Sequence, residues 1–127
     1  MKLDHARIFL VLGAVSALTS VVLGAVTAHA LSGTPVGAQS WFQTALQYHQ
    51  FHALGLLAVG LIAARSISGW IVASGWLMAV GIVLFSGNLY LRSLADFHVL
   101  HAATPFGGGA FMLAWLALAI GVARDHR

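Results

Sequence analysis

The chain has no cysteine, three acidic residues and two prolines among its 127 residues. Without cysteine it can form no disulfide, thiolate metal site or cysteine nucleophile. Charged residues make up only 7% of the sequence, against about 25% in a typical soluble domain. Such a small chain therefore has too few polar groups to cover a water-exposed surface. The six lysines and arginines form no basic run, so nothing indicates a nucleic-acid partner.

Long apolar segments take the place of the missing charge, and 60% of the residues are hydrophobic. Four runs approach the roughly 20 residues that a helix needs to cross a bilayer. Backbone groups in hydrocarbon must pair within their own segment, which favours helices. The sequence therefore predicts one all-α membrane domain over residues 1–127, a four-transmembrane-helix antiparallel bundle. The predicted spans are residues 8–29, 48–65, 70–91 and 102–123.

The segments between the runs differ in character. Residues 66–69 form a tight turn, so helices two and three should be antiparallel neighbours. Residues 38–47 carry apolar side chains at helical spacing with glutamines opposite. This pattern is compatible with a short interfacial amphipathic helix, and equally with an extension of helix two.

The basic residues predict the orientation. One side of the membrane collects Lys2, Arg7, Arg65, Arg124 and Arg127, and the other has only Arg92. The positive-inside rule places both termini in the cytoplasm, with the chain in a bacterial inner membrane. The first run also resembles a signal peptide, but it exceeds the usual apolar length of roughly 7–15 residues. We therefore expect a retained helix.

Small residues recur four positions apart in the first and fourth runs. Such rows let helix backbones approach closely in lipid. We expect packing within the bundle, with contact between copies of the chain as the alternative. The rows are Gly13 with Ala17; Ser20 with Gly24 and Ala28; Ala110 with Ala114; and Ala117 with Gly121.

Two further segments bring polar or helix-breaking residues close to the outer surface. Residues 104–109 read Thr-Pro-Phe-Gly-Gly-Gly. They place proline in the first turn of helix four, or they interrupt that helix to make a binding site, as in transporters. Near the outer end of helix three, Asn88 and Tyr90 should form hydrogen bonds across helices.

Histidine is the most reactive residue type present, and five of the seven fall on the predicted outer side. Imidazoles bind Zn, Cu, Fe and Ni, ligate haem and relay protons. They also serve structurally, as hydrogen-bond partners of helix-end carbonyls and side chains. Only Asp96 is available on that side to orient a ligating histidine. The candidate metal ligands are His29, His49, His52, His98 and His101.

Four motifs occur in a fixed order. They are residues 24–31, similar to Gly-Ala-Phe-Gly-Ala-His-Gly-Leu; residues 41–48 with 51–54; residues 84–91, similar to Leu-Phe-Ser-Gly-Ser-Leu-Tyr; and residues 104–108, similar to Thr-Pro-hydrophobic-Gly-Gly. On these motifs the chain resembles the YgdD-like family of small membrane proteins, whose animal relatives are called transmembrane protein 256. The matching candidates are His29, His52, Ser86, Gly87, Tyr90, Thr104, Pro105, Gly107 and Gly108.

The resemblance implies a four-helix membrane protein and supplies no established activity. His49 stands where the family pattern has glutamine, and His98 and His101 have no counterpart in the motifs. No catalytic constellation is visible, because a serine nucleophile would need a base and an orienting acid, so we expect no enzyme.

The first functional hypothesis is a non-enzymatic scaffold or accessory subunit, acting in the bilayer as a homo-oligomer or in a larger membrane complex. One alternative is a metal- or haem-binding protein that uses the outer histidines. A weaker alternative is a small-molecule or proton carrier that uses residues 104–109.

Overall fold

The computed structural model describes residues 4–30, 33, 36–95 and 103–125. Those residues form helices and no strand. Two α-helices, with a π-helical segment between them, follow one another without a break over residues 69–95, and we call this continuous helical stretch the third rod. The elements are α1 (His5–Ala30), α2 (Val36–Arg65), the third rod consisting of α3 (Gly69–Gly81), a π-helical segment (Ile82–Gly87) and α4 (Asn88–Ala95), and α5 (Ala103–Ala123). The predicted all-α architecture of four helical rods is confirmed.

Neighbouring rods run in opposite directions. Going forward along α1, contacts move backward along α2, since Gly13 lies against Leu57 and Gly24 against Leu46. The same reversal relates the third rod to α5, where Gly81 contacts Phe111 and Gly121 contacts Ile71. The chain is therefore an antiparallel bundle, with α2 placed to contact α1, the third rod and α5.

Three helical stretches of the described chain are long and apolar enough to cross a membrane. They are His5–Val26, Gly69–Ser93 and Ala103–Ala123. The helix α2 has 30 residues, ample length for a span at about 1.5 Å per residue. Its hydropathy is reduced by polar residues such as His49, Gln50 and His52. That α2 crosses the membrane therefore stays a prediction.

Local sequence explains where the helices begin. Asp4 precedes α1, and its Oδ1 accepts a hydrogen bond from the Arg7 backbone N at 2.8 Å. Ser68 precedes α3, and its Oγ accepts from the Ile71 backbone N at 3.3 Å. Side-chain oxygens at these positions satisfy N–H groups that the helix leaves unpaired. Residues 66–68 alone join α2 to α3, as the tight turn predicted.

Residues 38–47 belong to the continuous helix α2, so the extension interpretation is right and a separate interfacial helix is wrong. The physical reason is that the apolar side of this segment has partners within the protein. Phe42 and Leu46 are buried and pack with Leu23 of α1 and Tyr90 of α4. Because protein already covers these side chains, they do not need the membrane interface.

Gly13 and Gly24 of the α1 rows, and Ala114 and Gly121 of the α5 rows, pack within the bundle, as expected. Leu57 of α2 fits over Gly13 of α1, and Leu10 of α1 fits over Gly60 of α2. A Cβ at Gly13 or Gly60 would lie 2.9 or 2.7 Å from the facing leucine Cγ, so a larger residue at either position would force its neighbours to shift. This reciprocal seating fixes α1 against α2. On α5, Ala114 is buried against the main core.

Residues 104–109 do not interrupt a helix. The helix α5 begins at Ala103 and continues unbroken to Ala123, with Pro105 in its first turn. The broken-helix interpretation is therefore wrong, because a proline so near the start removes an N–H that would have no helical partner anyway. The irregular backbone lies instead in the third rod, where the π-helical segment passes Gly107.

The close packing of Gly107 against Phe85 can be tested by substitution. A Cβ at Gly107 would lie 2.5 Å from the Phe85 backbone N, whereas a Cβ at Gly109 would meet nothing within 4 Å. We expect Gly107→Ala to lower the free energy of unfolding by roughly 1–3 kcal/mol, the usual cost of overpacking. Gly109→Ala, two residues away in the same helix, should leave it nearly unchanged. Unfolding in a mild detergent measures both, and equal stabilities would contradict this packing.

Candidate functional site

Two polar side chains of α2, His49 and His52, are buried where the helices meet. His49 and His52 are 5% and 2% exposed. They lie three residues apart in the helix, which places them on neighbouring positions of its surface. His49 contacts α1 and α4, whereas His52 contacts α5. We call His49, His52 and their hydrogen-bond partners, together with Ser86, Asn88 and Thr104, the polar cluster.

Both ring nitrogens of His52 are engaged. The Trp115 indole Nε1–H donates to His52 Nε2 at 2.9 Å. An indole N–H can only donate, so Nε2 must be the unprotonated nitrogen. The proton therefore resides on Nδ1, which donates to the Tyr48 backbone oxygen at 2.8 Å. His52 is held as a neutral imidazole in its Nδ1–H form.

His49 connects α2 to α1 and α4, and its hydrogen-bond partners also determine which ring nitrogen carries the proton. Its Nδ1 lies 2.8 Å from the Tyr90 hydroxyl, and its Nε2 lies 3.2 Å from Thr19 Oγ1. The Thr19 hydroxyl already donates its one proton to the Ser16 backbone oxygen. It can therefore only accept from His49 Nε2–H, which leaves Nδ1 to accept from Tyr90. His49 is assigned the opposite tautomer to His52.

Two further hydrogen bonds tie the third rod to its neighbours. The Ser86 hydroxyl donates to the Ala45 backbone oxygen of α2 at 2.8 Å. The Asn88 Nδ2 donates to Thr104 Oγ1 in the first turn of α5 at 2.6 Å. Ser86 lies inside the π-helical segment, and Asn88 follows it directly. The local irregularity of the rod thus coincides with the point where polar groups reach both α2 and α5.

Aromatic rings enclose the His52 side of the cluster. Phe111 stacks on the His52 ring with centroids 3.6 Å apart and planes 12° apart. Trp115 and Tyr48 lie farther out, with centroids 5.8 and 6.1 Å from His52. This surrounding excludes water, and hydrogen bonds are electrostatically stronger in such a medium. In the same medium, a polar group without a hydrogen-bond partner lowers the stability of the fold.

The family-motif residues fall into three groups. His52, Ser86, Tyr90 and Thr104 meet in the polar cluster. The second group has no polar side-chain atom and consists of Gly87, Pro105, Gly107 and Gly108. Of these, Gly107 packs closely against Phe85. The side chain of His29 lies outside the described residues, as do His98 and His101.

Sequence reasoning missed Thr19, Phe111 and Trp115. Trp115 carried a usable signal, because tryptophan favours the membrane interface and here occupies the middle of a predicted span. Thr19 is one of few polar residues in the first span, and a polar residue there implies a partner. Phe111 carried no signal, since a phenylalanine in a membrane helix is ordinary.

The metal interpretation gains no support from His49 and His52, the two candidate ligands whose side chains the structure describes. Among the described residues, no three His, Cys, Asp or Glu side chains are grouped closely enough to hold a metal ion. A metal at His52 would have to displace either the Trp115 indole or the Tyr48 carbonyl. A metal or haem site thus stays a prediction, and it depends on His29, His98 and His101, whose side chains lie outside the described residues.

Comparison with known proteins extends over nearly the whole chain. A family model described as a protein of unknown function (DUF423) matches residues 23–108. The UPF0382 membrane protein YwdK of Bacillus subtilis is 44% identical over 90% of this chain and 94% of its own length. The UPF0382 inner membrane protein YgdD of Escherichia coli is 39% identical over 96% and 94%, respectively. No solved structure matches the chain.

The hydrogen-bond roles give a spectroscopic prediction. In ¹⁵N NMR spectra of the detergent-solubilised protein at neutral pH, His52 should carry its proton on Nδ1 and His49 on Nε2, because their partners dictate those forms. The protonated and bare ring nitrogens have well-separated chemical shifts. Finding the same tautomer for both residues would contradict the assignment.

Removing the indole donor tests the energy of the cluster. Trp115→Phe keeps a ring but leaves His52 Nε2 buried without a partner. We expect a loss of about 1 kcal/mol in the free energy of unfolding, the scale of hydrogen bonds between membrane helices. Trp70→Phe is the matched control, because Trp70 is an exposed tryptophan near the other end of the bundle. A loss no larger than that of the control would argue against the bond.

Proposed function

The chain belongs to the DUF423 family of proteins of unknown function, and on that premise we propose that it is a non-enzymatic accessory subunit or scaffold of a membrane complex. Its relatives are named membrane proteins, and one group is named inner membrane proteins. We therefore place it in a bacterial inner membrane, where it associates with itself or with a larger membrane protein.

One observation carries this proposal, namely that both histidines and Ser86 of the polar cluster form their hydrogen bonds within the protein. His52 has a partner at each ring nitrogen, as does His49. Ser86 donates to a backbone carbonyl of the neighbouring helix. An active site needs a nucleophile or base within reach of a substrate. These groups instead hold helices together, which suits a rigid structural module.

The outer surface supports association in the plane of the membrane. One side of α1 exposes a stripe of apolar side chains, Val11, Val15, Leu18 and Val22. The opposite side of α1, which carries Leu10 and Gly13, packs against α2. In the most apolar stretch of α1, only 17% of the residues are buried within the protein, against 33% in the corresponding stretches of the third rod and α5. This makes α1 the helix with most surface left for a neighbour, and van der Waals packing drives such contacts in lipid.

The charge distribution supports the proposed orientation. Contacts such as Leu10 with Gly60, and Trp70 with Gly121, bring the start of α1, the α2–α3 turn and the end of α5 to the same end of the bundle. Arg7, Arg65 and Arg124 therefore share that end, whereas Arg92 lies toward the other. Under the positive-inside rule the first end, with both termini, faces the cytoplasm.

The assembly can be tested in native membranes with a photoreactive amino acid. Leu18 on α1 and Leu61 on α2 are each 63% exposed, which makes them a matched pair. We expect the probe at Leu18 to give a protein adduct of discrete mass, and the probe at Leu61 to label lipid. In mild detergent the wild-type protein should elute above its monomer mass. A bare monomer, with no protein adduct at either position, would contradict the proposal.

A further inference from the structure

A groove of about 350 Å³ lies between α2 and α5, on the outer side of the polar cluster. Its walls are mostly aromatic, and none of the described residues that line it is charged. The lining consists of Tyr48, Phe51, His52, Phe85, Gly108, Phe111, Met112 and Trp115. Phe51 and Met112 are 59% and 75% exposed, so the groove opens on the outside of the bundle, where lipid would surround it.

A second hollow of about 250 Å³ adjoins this groove toward the start of α2. It is lined by Gln47, Tyr48 and Phe51. Tyr48 and Phe51 border both spaces, so the hollow and the groove are adjacent. Gln47 and Tyr48 bring an amide and a hydroxyl group to the hollow, whereas the groove is almost entirely apolar.

The shape and chemistry of these walls select among molecules that dissolve in a membrane. The rings of Tyr48, His52 and Phe111 lie parallel to within 13°. Offset stacking on such rings favours a flat π system. Since the described residues of the lining carry no charge, they disfavour a phospholipid headgroup. The size is at the lower end of small-molecule sites, which begin at about 300 Å³, so it suits a single substituted ring.

We propose that this groove binds a flat, uncharged, lipid-soluble ring carrying carbonyl oxygens, the chemical class of the membrane quinones. The ring lies against the aromatic walls, and a ring carbonyl accepts a hydrogen bond from the Tyr48 hydroxyl or the Gln47 amide. The ligand's hydrocarbon tail leaves past the exposed Phe51 and Met112 into the lipid. Binding requires no partner protein, so this inference is independent of the accessory role proposed above.

The test uses 2,3-dimethoxy-5-methyl-6-decyl-1,4-benzoquinone titrated calorimetrically into the full-length protein in lipid nanodiscs, with empty nanodiscs subtracted. We expect saturable binding near one molecule per chain. Gly108→Leu should weaken it by at least about tenfold, because the new side chain fills the groove. The nearest atom to a Cβ at Gly108 is a Phe85 ring carbon at 3.8 Å, so the backbone accommodates the change.

Gly109→Leu is the matched control, since a Cβ there meets nothing within 4 Å and Gly109 does not line the groove. It should bind like wild type. Phe51→Ala provides a second variant that removes a wall instead of filling the space, and its exposed position protects folding. We expect it to weaken binding by about 2- to 10-fold, the value of one aromatic contact.

Three results would overturn the inference. The first is no saturable heat in the wild type beyond that of empty nanodiscs. The second is wild-type affinity in both Gly108→Leu and Phe51→Ala. The third is that decanol, titrated in the same way, binds as tightly as the quinone, which would identify the groove as a site for alkyl chains. Melting curves of each variant establish that it is folded.

Discussion

A polar side chain that is buried between helices, away from water, needs a hydrogen-bond partner within the protein, and the contacts around His49 and His52 of α2 meet that need. A polar group left unpaired in hydrocarbon costs several kcal/mol. His49 and His52 therefore demand donors and acceptors from whatever helix lies beside them. Thr19 comes from α1, Tyr90 from α4 and Trp115 from α5. Each rod thus contributes to the pairing of a single helix, and α2 holds the others in place.

Close packing makes these bonds geometrically possible. Hydrogen bonds between side chains of modest length require neighbouring helix axes to lie near one another. The reciprocal seating of Leu57 on Gly13 and Leu10 on Gly60 brings α1 close to α2. Gly107 does the same for α5 and the third rod at Phe85. The glycines and the polar cluster are therefore two parts of one arrangement, since neither would position the helices alone.

The sequence was sufficient for the four rods and the tight turn before Gly69, because local chemistry and hydropathy determine them. For Pro105 it left two interpretations, and only the continuous helix α5 decided for the first turn. It could not identify the partners of the histidines. Thr19 is 30 residues from His49, and Trp115 is 63 from His52. Periodicity shows which residues share a face of one helix, but not which helix covers it.

Two further findings also lay beyond the sequence. Hydropathy is a property of the side chain alone and ignores what surrounds it, so His49 and His52 lower the hydropathy of α2 although protein covers both of them. The five-histidine grouping reduces, among described side chains, to His49 and His52. Glutamine, which the family pattern has at position 49, also offers one donor and one acceptor group. The exchange to His49 therefore keeps the bonding capacity of that position.

The π-helical segment has a consequence for how this chain can change over time. Residues Ile82–Gly87 make a wider turn than the helices on either side. A π-helical stretch holds one residue more than an α-helix would use for the same rotation, so the loss of one residue there would let the rod continue as an ordinary helix. Asn88 and Tyr90 would still face Thr104 and His49. In the regular helices on either side, the loss of one residue would instead turn every later residue by about 100°, so a single deletion should be tolerated in this stretch better than in its neighbours.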